Sequence, residues 1–155
     1  MKPEEIAALL GETFGAKILE SKLDSLNPWS VVDPGSILEV SRFLRSDARL
    51  LMDHLETLAG VDYKDRIEVV YVLYSMTHRH RFTLKVKLPR EGPKVHTVES
   101  CWAVANWHER EAYDLLGVVF EGHSDLRRIL LPDDWEGHPL RKDYKTPATY
   151  RDMPV

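Results

Sequence analysis

The chain has 155 residues, 43% of them hydrophobic, which is enough for one ordinary core. Its 21 basic and 25 acidic residues give a formal charge of -4, so no broad cationic field exists to hold nucleic acid or an anionic membrane surface. The longest apolar run, Val69 to Met76 with Ser75 inside it, falls well short of the roughly 20 residues that a bilayer-spanning helix needs, and the N-terminus lacks the apolar block of a signal peptide.

In chain order, Pro3 to Phe14 places Ile6, Leu9, Leu10 and Phe14 on one face, with Pro3 near the start and Gly15 after the end, and predicts an opening helix. Loose alternation through Ile18 and Leu23, then the run Trp29 to Val32 before Asp33-Pro34-Gly35, predicts two short strands. From Ser36 to Leu58 the apolar residues recur at three and four positions, which predicts an amphipathic helix or a broken pair, ended by Gly60. Arg66 to Met76 and Arg81 to Leu88 are β-branched and aromatic-rich, and Thr77-His78-Arg79-His80 between them reads as a hairpin turn with exposed histidines. After a loop from Pro89 to Pro93, Val95 to Val98 is a candidate strand, and Ser100 to Leu116 a second helix capped by Ser100 and Gly117. Trp107 on that helix is expected in the core.

Beyond Phe120, Pro132, Gly137, Pro139 and Pro147 forbid a long helix or central strand. The expected architecture is α+β, helices packed in two layers on a mixed, largely antiparallel sheet, with a compact domain at 1–120 and an extended tail at 121–155. The apolar residues of this tail need cover from the parent domain or from another protein, and its five basic and five acidic residues between His123 and Lys145 suit a protein interface better than a phosphate backbone.

Cys101 is the only cysteine, which excludes an internal disulfide and points to a reducing cytoplasm. It also cannot supply the four thiolates, or two with two histidines, of an ordinary iron–sulfur cluster. Gly117 to Ser124 nearly matches a phosphate-binding loop but has His123 where the lysine belongs, carries Glu121, and follows a helix rather than a strand. His108 and Glu111, one turn apart, are candidate metal ligands with His123, His138 and Cys101, but an ordinary polar helix face is the simpler reading. Glu111 and Asp114 form a candidate acid and base pair, against which Arg110, four residues before Asp114, predicts an intrahelical ion pair.

The stretch Trp107-His108-Glu109-Arg110-Glu111-Ala112-Tyr113-Asp114-Leu115-Leu116-Gly117, followed by Phe120, His123 and Leu126-Arg127-Arg128-Ile129-Leu130, closely resembles the signature of the thirty-kilodalton subunit family of respiratory complex I. Asp134-Trp135-Glu136-Gly137-His138-Pro139-Leu140-Arg141-Lys142-Asp143-Tyr144 resembles the second hallmark of that family, in order and at the expected distance. Upstream, Phe82 to Val86 sits on the expected strand, and Ser124 departs from the usual proline.

The resemblance implies a structural subunit of the hydrophilic arm of a proton-translocating NADH:quinone oxidoreductase, peripheral on the cytoplasmic side of the bacterial inner membrane and attached to it only through the complex. It implies no cofactor and no catalytic residue in this chain, with FMN and iron–sulfur clusters held by other subunits. The implied partner is chiefly the D subunit, with the B and I subunits nearby, and a chain ending at Val155 is expected to stand apart from the D subunit rather than be fused to it. Glu109, Arg110, Glu111 and Asp114 are then expected to orient the tail, while Arg127, Arg128, Trp135, His138, Arg141, Lys142 and Asp143 dock on the partner. Trp107, Gly117, His123, Gly137, Pro139 and Leu140 complete the family pattern. The rival readings are the equivalent subunit of a membrane hydrogenase, a formate hydrogenlyase or an enzyme with another donor, and a metal-dependent hydrolase built on His108, Glu111 and His138.

Overall fold

A computed structural model describes residues 1–151, 153 and 154, so Asp152 and the expected tail's last residue, Val155, lie outside the described residues. The opening segment forms α1 (Pro3–Phe14), with Pro3 and the acidic Glu4 and Glu5 in its first turn and Gly15 at φ 53° after its last. Ile6 and Leu10 lie fully buried on one face of it. The chain continues through β1 (Ile18–Lys22) and β2 (Trp29–Val32) to α2 (Ile37–Ser46), which buries Ile37, Val40 and Leu44.

The expected long helix stops there, and its second half is instead the strand β3 (His54–Asp62). A β-bulge between Leu55 and Thr57 explains the misleading period. The extra residue lets Leu55 and Leu58, three apart, both face the core, which imitates helical spacing. Gly60 is accordingly no helix stop. It lies within β3 under the helix α3 (Ala105–Leu116), where a Cβ would stand 2.3 Å from Leu116 Cδ1.

The strands β4 (Arg66–Tyr74) and β5 (Arg81–Pro89) form the expected hairpin, with Arg79 at φ 54° in its turn. Ile67, Val69, Tyr71 and Leu73 alternate inward, as do Phe82, Leu84, Val86 and Leu88. The main sheet runs β1-β2-β5-β4-β3, antiparallel except where β2 lies parallel to β5. This is the expected mixed, largely antiparallel α+β architecture. His80 departs from the expected exposure: it is buried, donating from Nε2 to the Leu50 carbonyl at 2.8 Å, and burial lowers its pKa.

The candidate strand after the loop forms β6 (Lys94–His96), which pairs in parallel with β7 (Val119–Glu121) in a separate two-stranded sheet. The α3 helix begins five residues later than Ser100, because successive turns at 98–105 drive Cys101 and Trp102 into the core. Trp102 Nε1 donates to the Met52 carbonyl at 2.9 Å and fixes the loop between α2 and β3. Among its described residues beyond β7, the tail is irregular apart from the short pair β8 (Thr149–Tyr150) and β9 (Met153–Pro154).

Replacing Gly60 by valine is expected to lower the unfolding free energy by about 1–3 kcal/mol through overpacking against Leu116. The reading is a lower urea midpoint with unchanged slope, and an unchanged midpoint would contradict this packing.

Candidate partner-docking site

The α3 helix turns three charged residues inward, Glu109, Arg110 and Asp114, although a buried charge is costly without partners. Each finds them in the segments that flank the helix. Asp114 Oδ2 accepts the backbone N–H groups of Ile129, Leu130 and Leu131 at 3.0, 2.7 and 2.9 Å, and Oδ1 accepts Arg128 Nη1 at 2.8 Å. Burial alone would raise this carboxyl, but the three N–H groups and Arg128 outweigh it and hold its pKa below the usual range. The intrahelical pair expected between Arg110 and Asp114 does not form, because Arg128 takes that place. Arg110 lies instead 5.1 Å from the Trp107 ring centre and donates from Nε to the Arg127 carbonyl.

The last carbonyls of α3 would otherwise lack donors, and residues 138–141 provide them. His138 Nδ1 donates to the Asp114 carbonyl at 2.9 Å, Leu140 N to Leu115 at 3.0 Å and Arg141 Nε to Leu116 at 2.7 Å. Gly117, at φ 76°, allows this approach, since a Cβ there would meet the His138 ring at 2.6 Å. Arg128 Nη2 reaches the carbonyls of Trp135 and Gly137, joining the two halves of the tail. Trp135 Nε1 donates to the Tyr144 hydroxyl at 3.0 Å.

A second anchor lies at the end of β3. Asp62 is bridged by Arg90 and accepts Lys142 N at 2.7 Å, while Arg90 Nη2 donates to Asp143 at 2.6 Å. Neither Asp62 nor Arg90 stands out in the sequence, although Asp62 falls two residues beyond Gly60 on the inward face, where a carboxylate needs a partner.

Glu109, fully buried, forms a third cluster. It accepts Val98 N at 2.7 Å and the Thr97 hydroxyl, yet burial outweighs both and pushes its pKa to about 7, with Glu99 adding to the rise. His123 Nε2 lies 3.9 Å from this carboxylate and donates to the Asn106 carbonyl, while Nδ1 accepts Asp125 N at 2.9 Å, which fixes the tautomer. Ser124 donates from N and Oγ to Glu99, two hydrogen bonds that a proline at this position could not make. Sequence reasoning missed Thr97, Glu99 and Asn106.

Of the expected docking residues, Arg128, Trp135, His138, Arg141 and Asp143 are thus engaged within the chain, the exposed Arg127 side chain pairs with its neighbour Asp125 at 3.0 Å, and Lys142 is exposed. Glu111 is also exposed, and Pro139 is half-buried. Trp107, expected in the core, is 62% exposed, and Leu130 and Leu140 are similarly open. Trp107 of α3 and Leu130 and Leu140 of the tail are therefore large apolar side chains left exposed beside a frame of polar contacts.

The chain matches the family model of the respiratory-chain NADH dehydrogenase 30 kDa subunit over residues 30–150. It is 44% identical to the C subunit of the NADH-quinone oxidoreductase of Chloroherpeton thalassium, across 99% of this chain and 66% of that protein. The chain therefore spans about two thirds of that relative. The corresponding C subunit of Chlorobium phaeobacteroides is 40% identical, across 93% of this chain and 89% of that protein. Among solved structures, a trypsin-resistant fragment (1-134) of Nqo5 superposes with TM-score 0.67 at 30% identity, covering 81% of this chain and all of the fragment. A chain of an archaeal membrane-bound sulfane sulfur reductase superposes with TM-score 0.78 at 24% identity, over 96% of this chain and 88% of that one, which is a likeness of fold.

A Glu109 pKa near 7 rather than 4.5 means that its stabilising contribution is complete below about pH 4.5 and lost as pH rises through 7. The Glu109→Gln variant lacks this titration. Its stability relative to the unaltered chain is expected to rise across that window by about 3 kcal/mol, at about 1.4 kcal/mol per pKa unit. Urea unfolding from pH 4 to 8 measures this, and a constant difference would contradict the assignment.

Proposed function

The chain belongs to the 30 kDa subunit family of respiratory-chain NADH dehydrogenase, and from that premise we propose that it is a non-catalytic structural subunit of a proton-translocating NADH:quinone oxidoreductase. It carries no redox centre, and FMN and iron–sulfur clusters belong to its partners. It docks chiefly on the D subunit, with the B and I subunits nearby, peripheral on the cytoplasmic side of the membrane. The single observation that carries this reading is the direction of the motif side chains. Arg128, His138, Arg141 and Asp143 turn onto Asp114, the α3 carbonyls and the Asp62–Arg90 bridge, while Trp107, Leu130 and Leu140 stay exposed. Catalytic groups would converge on a reaction site, whereas these are spent on holding helix and tail together. An exposed tryptophan with an arginine over its ring, as Arg110 lies over Trp107, is the usual chemistry of a docking anchor.

The 1–120 body and the 121–155 tail then divide the work. The body supplies α3 as a platform, and the tail completes the surface that meets the partner. A subunit of a related complex with another electron donor would present the same frame. The NADH type is preferred because the aligned relatives at 40–44% identity are NADH-quinone oxidoreductase subunits.

The test is an affinity purification of the N-terminally tagged chain from detergent-solubilised membranes, followed by NADH:quinone reductase assay. A large complex containing flavin and iron–sulfur absorbance and having this activity is expected. Trp107→Ala is expected to reduce its recovery by roughly tenfold or more, the effect of losing a 2 kcal/mol anchor, with turnover per flavin unchanged. Normal recovery with lost turnover would overturn the structural role.

A further inference from the structure

The face of the main sheet opposite the helices has an unusual character. A sheet with one solvated face ordinarily alternates apolar inside and polar outside. In β4 the outward positions begin with Arg66 and Glu68 but continue as Val70 and Val72. The register places Trp29 of β2 beside Thr83 of β5, and Thr83 beside Val72 of β4. Ala59 of β3 pairs with Val70, which pairs with Lys85. None of Trp29, Val70 or Val72 belongs to the helix-side core.

The loop at 25–27 and Tyr63 rise on either side and make this strip the floor of an open trough of about 550 Å³. Leu26, on one lip, is 97% exposed. The charge of the trough is one-sided, since its lining includes Arg81 and Lys85 but no carboxylate, in a chain whose net charge is -4. Arg81 is paired with Glu56 at 2.8 Å beyond the lining. Lys85 Nζ lies 4.4 Å over the Trp29 ring, and its nearest carboxylate, Glu68, is 3.9 Å away and also serves Arg66 at 2.8 Å. Among the described residues no acceptor hydrogen-bonds Lys85 Nζ.

We propose that this trough is a second docking surface, taking an extended segment of a neighbouring subunit that lays apolar side chains over Trp29, Val70 and Val72 and brings a carboxylate to Lys85. Complementarity of charge selects an acidic segment, and the openness of the trough suits a chain passing through rather than an enclosed small molecule. This surface is separate from the face of α3 and the tail. It gives the subunit contacts on both sides of its body, and it rests on the reading of the chain as part of a larger complex.

The test replaces Val72 by a photoreactive phenylalanine analogue in the tagged chain, irradiates cells of the source organism and maps adducts in the purified complex. The expected result is a covalent link from position 72 to another subunit of the complex, within a few residues of an aspartate or glutamate. Lys85→Glu is expected to lower that yield at least fivefold, and reversing the partner's acidic residue to lysine to restore it. A complex recovered intact with no adduct at position 72, an adduct to a second copy of this chain, or an adduct indifferent to Lys85→Glu would each overturn the trough while leaving the assembly reading in place. A chain recovered alone would overturn both.

Discussion

A carboxylate buried in the last turn of a helix is held against two opposing forces, the loss of water and the negative end of the helix dipole. Asp114 is in that position, and it is stable there only because three consecutive backbone N–H groups and the Arg128 guanidinium come to it from the tail. The dependence is mutual. Residues 129–131 of the tail belong to no helix or strand that could satisfy their backbone, and Asp114 collects their three N–H donors at one point. The cationic and N–H donors on the carbonyls of Asp114, Leu115 and Leu116 then complement the negative helix end. Helix α3 and the tail are one structural unit despite the change in sequence character between them.

The other anchors follow from this one. With residues 128–131 fixed on Asp114, the chain returns along the helix end, and Lys142 and Asp143 arrive at the Asp62–Arg90 bridge. Gly117 and Gly137 are needed because aromatic rings occupy the space a side chain would take, His138 at the first and Tyr144 at the second. Glu109 fixes the start of the helix to the turn at 97–98, so both ends of α3 are held by polar contacts to neighbouring segments. A surface held in place in this way would lose less entropy on binding a partner than a disordered one.

Elements whose period reflects local geometry are legible in the sequence. The 3.6-residue stripe of α1, the alternation of β4 and β5 and the glycine stop of α3 all fall where the pattern puts them. Leu55 and Leu58 mislead because a bulge inserts one residue into β3, and periodicity alone cannot distinguish that from a helical turn. Trp107 is exposed rather than in the core, where Trp102 lies instead, because the turns at 98–105 shift the start of the helix. The two long motifs mark the segments that meet at Asp114, but the direction of their side chains depends on partners remote in the chain. Asp62, for example, meets residues about eighty positions later, a pairing that no local pattern reveals.

The central claim is that the tail is held on α3 by the chain itself, before any partner joins, and amide hydrogen exchange in the isolated protein tests it most directly. The N–H groups of Ile129, Leu130 and Leu131 are expected to exchange at least about 100-fold more slowly than in an unfolded chain. Asp114→Asn is expected to abolish most of that protection while leaving β4 protected. Exchange of these three amides at the unfolded rate in the unaltered protein would contradict the claim and make the order of the tail a product of assembly.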